Sequence, residues 1–152
     1  MKTVIIIEDE KDARETLKEY LSSYPELALI AECENGKDAI EKINKLCPDI
    51  LFLDIHLPGI NGFQVMEQLT HKPAVVITSA FGSYAAKAFN YEVLDYLLKP
   101  FCEERFAVAM KKVRLVLSGP TETKPITNKN KLVTHRCSLG WVYPSLLTNF
   151  LI

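Results

Sequence analysis

The chain has 152 residues, of which 48% are hydrophobic and 24% charged, and a formal net charge of −1. That length suits one globular domain plus a tail, and the apolar share supports a real core. The near-neutral balance gives no general electrostatic pull toward nucleic acid, so any DNA-binding part of the protein is expected elsewhere. In chain order, residues 4–7 are a continuous apolar, β-branched run, the mark of a strand buried on both faces. Residues 10–23 have helical spacing, with Ala13, Leu17, Tyr20 and Leu21 on one face. Residues 27–33 read as a second strand behind Pro25, and Asn35-Gly36 as a turn. A helix over 37–46 turns Ala39, Ile40, Ile43 and Leu46 inward and is stopped by Pro48. Residues 50–53 form a third buried strand. The loop 54–61 follows, with Gly59 and Gly62 read as turn residues needing positive φ. A helix then runs through Leu69. Strands over 74–78 and 94–98 flank a short helix over 84–90. The last helix covers 103–117, with Phe106, Ala109, Met110 and Val113 inward.

Five alternations of strand and helix with short connections imply an α/β domain, a parallel sheet covered by helices on both faces. The domain is expected over 1–118, a polar linker over 119–131, and over 132–152 a tail too short for a second domain. The tail reads as a truncated output domain or as residues foreign to the native gene. The apolar run near the N-terminus is too short for a signal peptide, and no run approaches membrane-spanning length. Cys33, Cys47, Cys102 and Cys137 form no Cys-x-x-Cys pair. Reduced thiols in a cytoplasmic protein are expected, rather than zinc or a disulfide framework.

In a parallel sheet the working residues collect at the carboxyl ends of the strands. Glu8 and Asp9 follow the first strand, Asp54 the third, Thr78 ends the fourth and Lys99 the fifth. Taken singly, each is an ordinary loop charge, helix cap or surface lysine. Together they bring three carboxylates, a hydroxyl and an ammonium to one rim. Carboxylates held close repel unless a cation joins them, and hard oxygen ligands suit Mg²⁺. A carboxylate so placed can attack phosphorus, with the hydroxyl and ammonium on the remaining oxygens.

The runs Val4-Ile-Ile-Ile-Glu-Asp-Glu10, Leu51-Phe-Leu-Asp-Ile-His-Leu-Pro-Gly-Ile-Asn-Gly62, Val76-Ile-Thr-Ser-Ala80 and Leu94-Asp-Tyr-Leu-Leu-Lys-Pro100 resemble the receiver domain of bacterial two-component response regulators. The resemblance covers about residues 1–117. It implies a flavodoxin-like, doubly wound fold and a cytoplasmic phosphoprotein, an acceptor that can lose its phosphoryl group rather than a turnover enzyme. Carried over residue by residue, it makes Asp54 the phosphoacceptor and Asp9 a direct Mg²⁺ ligand. Glu8 assists, standing where the family often has Asp. The main-chain carbonyl of His56 completes the ligand set. Thr78 and Lys99 contact the phosphoryl group, Pro100 follows a cis bond, and Tyr96 is the aromatic that moves with Thr78. A tyrosine in this strand reads equally well as a packed edge residue, and the His56 side chain as a solvated loop group. Residues 85–101 resemble receivers joined to LytTR-type DNA-binding domains, hence transcription regulators.

The implied partners are a sensor histidine kinase and, through helix 4, strand 5 and helix 5, a second copy of the chain. Lys87, Asn90, Glu92, Asp95, Arg105 and Lys112 are the candidates on that face. DNA is expected as a partner of the full-length protein only, and a membrane of neither. The alternative function is a receiver that works without phosphorylation, as a protein-interaction module. A haloacid dehalogenase-type phosphatase wants an Asp where His56 stands. A flavodoxin-like cofactor binder would meet Glu8-Asp9-Glu10 where a phosphate should sit.

Overall fold

The computed structural model describes residues 1–119; the expected tail, and all of the expected linker except Gly119, lie outside the described residues. The elements are β1 (Lys2–Ile7), α1 (Lys11–Leu21), β2 (Leu27–Cys33), α2 (Gly36–Leu46), β3 (Ile50–Asp54), α3 (Gly62–Glu67), β4 (Ala74–Ser79), α4 (Ala85–Ala88), β5 (Asp95–Leu98) and α5 (Glu103–Leu117). The strands form one parallel sheet in the order β2-β1-β3-β4-β5. This is the doubly wound arrangement expected from the alternation.

Strand periodicity divides the core in two. Side chains of successive strand residues point to opposite faces. Ile5, Ile7, Leu51, Leu53 and Ile77 therefore meet Ala39 and Ile43 of α2, Phe63 and Val65 of α3, and Ala88 of α4. Val4, Ile6, Ile50, Phe52, Val76 and Leu97 meet Leu17 and Leu21 of α1 and Phe106, Ala109, Met110 and Val113 of α5. Phe52 stacks on Phe106 with ring centroids 5.3 Å apart. Two apolar faces explain why β1 and β3 read as unbroken hydrophobic runs.

Local signals set the helix ends. Asn35 caps α2 by accepting from the Asp38 amide, and Cys47 ends it at φ 45° just before Pro48. Asn61 and Gln64 make a reciprocal capping box at the start of α3. One of the two glycines read as turn residues meets the expectation and the other does not. Gly59 does adopt a positive φ, 78°. Gly62 does not: it is the first residue of α3, and a Cβ there would lie 2.5 Å from the main-chain oxygen of Asp54. Its need is for closeness rather than for turn geometry.

Three further expectations shift. The helix expected over 84–90 is a four-residue α4 between two 3₁₀ turns, Gly82–Tyr84 and Phe89–Tyr91. Only Ala88 of that stretch is buried, so little packing holds a regular helix. α3 stops at Glu67, short of Leu69. Reduced thiols hold at Cys33 and Cys47, though Cys47 is exposed; Cys102 is instead disulfide-bonded.

On the β5–α5 side, Asp95 is buried and takes two hydrogen bonds from the Arg105 guanidinium, at 2.7 and 2.8 Å. Lys112 adds its ammonium at 3.1 Å, and Arg105 also donates to the main-chain oxygen of Tyr96. Burial alone would raise the Asp95 pKa. The hydrogen bond from Arg105 and the charges of Arg105 and Lys112 outweigh it and hold the carboxyl below its usual range. Asp95 therefore contributes stability above the unfolded carboxylate pKa, and the contribution is lost as pH falls through the lower folded value. Asp95→Asn is expected to cost about 3 kcal/mol at neutral pH, the order for breaking a buried pair. In urea melts the deficit should shrink as the buffer is taken below the ordinary aspartate range. Gly62→Ala is expected to cost about 1–3 kcal/mol as an overpacked contact, whereas Gly82→Ala, which has open space around it, should change the melting point little.

Candidate functional site

The chain leaves β1 toward β2 on one side, and β3 lies on the other. A crevice opens where such windings part, at the carboxyl ends of those strands. Glu8 and Asp9 stand at the end of β1 and Asp54 is the last residue of β3. Ligand oxygens from these three carboxylates lie within 4.8 Å of one another. Glu8 and Asp54 are buried and Asp9 is exposed, so the cluster has two inner carboxylates and one at the mouth. β4 pairs with β3 in the register Asp54 to Thr78, which sets the threonine beside the aspartate. Lys99 follows β5, its amide donating to the Ser79 carbonyl at 2.7 Å, and its peptide bond to Pro100 is cis, as the resemblance implies.

Lys99 bridges the two inner carboxylates. Its Nζ lies 2.8 Å from Asp54 Oδ2 and 2.6 Å from Glu8 Oε2. The other Asp54 oxygen, Oδ1, accepts from the His56 amide at 2.9 Å. Burial lowers the Lys99 pKa, but bonds to Asp54 and Glu8 prevail and hold it above its ordinary value. Glu8 goes the other way. Burial, with the charge of Asp54, pushes its carboxyl up to about 7 despite the bond from Lys99. A raised carboxyl favours the folded chain most in acid, and the benefit fades as pH rises through about 7. Glu8 is thus ill at ease as a buried anion, a condition that a cation would relieve.

Thr78 is fully buried, and its Oγ1 has no hydrogen-bond partner. A buried hydroxyl left bare is costly unless something is to reach it. The structure thus brings Glu8, Asp9, Asp54, Thr78 and Lys99 to one rim. The other two expected residues stand a little apart. The His56 ring is exposed and packs on Phe81, with centroids 4.6 Å apart, and on Tyr84 at 5.3 Å. Tyr96 is half-buried against the α2–α4 side of the core and donates its hydroxyl to the Phe81 carbonyl, in the loop after β4.

Sequence reasoning passed over Arg14. Its side chain is buried, and it holds the main-chain oxygens of both Glu8 and Asp9. The signal was present: Arg14, Leu17 and Leu21 share the buried face of α1, and an arginine on a buried stripe needs acceptors.

Residues 4–111 match the family model described as the response regulator receiver domain. The chain belongs to that family. As a receiver of two-component response regulators, it is 38% identical over 131 residues to the sensory transduction protein LytT of Oceanobacillus iheyensis, covering 83% of this chain and 53% of that one. It is 40% identical over 116 residues to the transcriptional regulatory protein BtsR of Escherichia coli K12, covering 75% of this chain and 48% of that one. The receiver chain thus spans about half the length of the curated relatives it matches. A relative named LytT agrees with the LytTR-type resemblance of residues 85–101. Among solved structures, the response regulatory domain of mrkE from Klebsiella pneumoniae superposes with a TM-score of 0.72 at 29% identity, over 78% of this chain and 99% of that one. The REC domain of AraT from Geobacillus stearothermophilus gives 0.67 at 29% identity, over 77% and 96%. Among the described residues no helix is long and apolar enough to cross a membrane.

The acidic cluster can hold a metal ion, and Lys99 competes with a dication for the same oxygens. Lys99→Met is therefore expected to tighten binding of a divalent cation by about tenfold or more, roughly 1.4 kcal/mol, as read by titration calorimetry. Weaker binding in the variant would mean that the lysine organises the site rather than competing for it.

Proposed function

We propose that the receiver accepts a phosphoryl group on Asp54 and passes the change to its α4–β5–α5 face. The observation that carries this reading is the convergence on Asp54 of a bridging ammonium and a buried, unpartnered hydroxyl. An Asp54 carboxylate oxygen attacks phosphorus, and the phosphorus–nitrogen bond of a histidine kinase's phosphohistidine breaks. The bonding pair stays on the imidazole nitrogen, which then takes up a proton. Thr78 Oγ1 gains the acceptor it lacks, and Lys99 moves from paired carboxylates onto a phosphoryl oxygen. Glu8, Asp9, Asp54 and the main-chain carbonyl of His56 would hold Mg²⁺, which neutralises phosphoryl oxygens when bound. The fit rests on the donor set: hard oxygens around a buried carboxylate that resists ionisation.

Displacement of Thr78 and Lys99 bears on their neighbours. Tyr96 ties β5 to the loop after β4 through the Phe81 carbonyl, so a shift at Thr78 is carried to that loop and to α4. Asp95, Arg105 and Lys112 are satisfied within one chain. A second copy would therefore meet chiefly Lys87, Asn90 and Glu92, which are exposed. The receiver is an acceptor rather than a turnover enzyme, and works in the cytoplasm as residues 1–118 of a longer regulator. The rest of that protein is a linker and a LytTR-type DNA-binding domain, a reading supported by the names and lengths of its relatives.

Incubation with acetyl phosphate and Mg²⁺, read by intact mass, should add one phosphoryl group to the wild type. Asp54→Asn and EDTA-treated protein should show none. No gain in the wild type would leave a receiver acting by binding alone, and an undiminished gain in Asp54→Asn would move the acceptor elsewhere.

A further inference from the structure

Arg14 lies on the first turns of α1, beneath the acidic cluster rather than in it. Its Nη1 donates to the Glu8 carbonyl at 2.7 Å and to the Asp9 carbonyl at 3.1 Å. Nη2 pairs with Glu34 Oε1 at 2.6 Å, and Nε faces Glu32 Oε2 at 3.5 Å. The guanidinium is planar and rigid, so its fork defines where the two carbonyls can stand. Those carbonyls belong to the residues whose carboxylates join Asp54 in the cluster. α1 has no side-chain cap at Glu10 to fix the entry of the chain. Anchored to β2 by Glu32 and to the β2–α2 turn by Glu34, Arg14 is the side chain that grips this loop from below.

From this geometry we propose that Arg14 is a positioning residue for the cation site: it holds the Glu8–Asp9 backbone so that both carboxylates point at Asp54. The inference rests on the reading that these carboxylates bind Mg²⁺. Mg²⁺ demands near-ideal octahedral geometry, whereas Ca²⁺ tolerates irregular ligand sets. Loss of the fork should therefore harm Mg²⁺ binding more than Ca²⁺ binding. Charge and position also predict opposite signs. Removing a positive charge near the site tightens any dication, while freeing the loop loosens Mg²⁺.

The test is calorimetric titration of Mg²⁺ and of Ca²⁺ into wild type, Arg14→Lys and Arg14→Ala, with melting curves in EDTA alongside. Arg14→Lys keeps the charge and loses the fork. Both variants should bind Mg²⁺ about 10–100-fold more weakly, the usual cost of losing a group that orients metal ligands, with a clearly smaller loss for Ca²⁺. Mg²⁺ affinity unchanged in Arg14→Lys, tightened in Arg14→Ala, or lost equally for both ions would overturn the proposal. So would failure of both variants to fold in EDTA, which would make the role purely structural. Absence of Mg²⁺ binding by the wild type would instead sink the cation site itself.

Discussion

The interaction on which the site depends is the Lys99 ammonium lodged between Glu8 and Asp54. Two buried carboxylates at the end of neighbouring strands would otherwise drive the strand ends apart or force one group to stay protonated. The lysine offsets part of that repulsion by sitting within reach of both carboxylates. It arrives from β5, two strands away from β3, so four of the five strands, β1, β3, β4 and β5, must be in place before the cluster is complete. Site and fold are thus one cooperative object, and no short stretch of the chain could hold this chemistry alone.

The unsettled groups of the site share a direction. Glu8 resists ionisation, Thr78 has a bare hydroxyl and Lys99 is shared between two anions. Each is improved by the arrival of a doubly charged cation or a phosphoryl oxygen. The opposite holds on the α5 side, where Asp95, Arg105 and Lys112 have found their partners. One end of the molecule is left wanting contacts while another is saturated. That contrast separates an end with unmet polar groups from one whose charges are paired.

Much of this was legible because the physics that builds the sheet also sorts the sequence. Continuous apolar runs buried on both faces announce β1 and β3, and the residue after each run must be at the rim. Glu8, Asp9, Asp54, Thr78 and Lys99 could therefore be placed without coordinates. α4 was harder to read. Ala85 to Ala88 have helical propensity, but propensity does not show that only one side chain finds a core. Gly62 looked like a turn residue because a glycine in a loop usually is one; its closeness to the Asp54 carbonyl is a tertiary fact. Arg14 shares the buried stripe of α1, but that spacing does not reveal which groups it holds: the Glu8 and Asp9 carbonyls are brought to it only by the fold. Asp95, Arg105 and Lys112 were read as a partner face, and only three-dimensional pairing shows them turned on one another.

The contact between Gly62 and the Asp54 carbonyl reaches further than packing. It rests the acceptor's backbone on bare helix, with no side chain between that could change its rotamer or be resized by mutation. Pro58 in the same loop is exposed, so its side chain can be changed while the height of Asp54 above α3 stays the same. What approaches Asp54 from that loop can thus change without moving its backbone, a separation built on the absence of a single carbon.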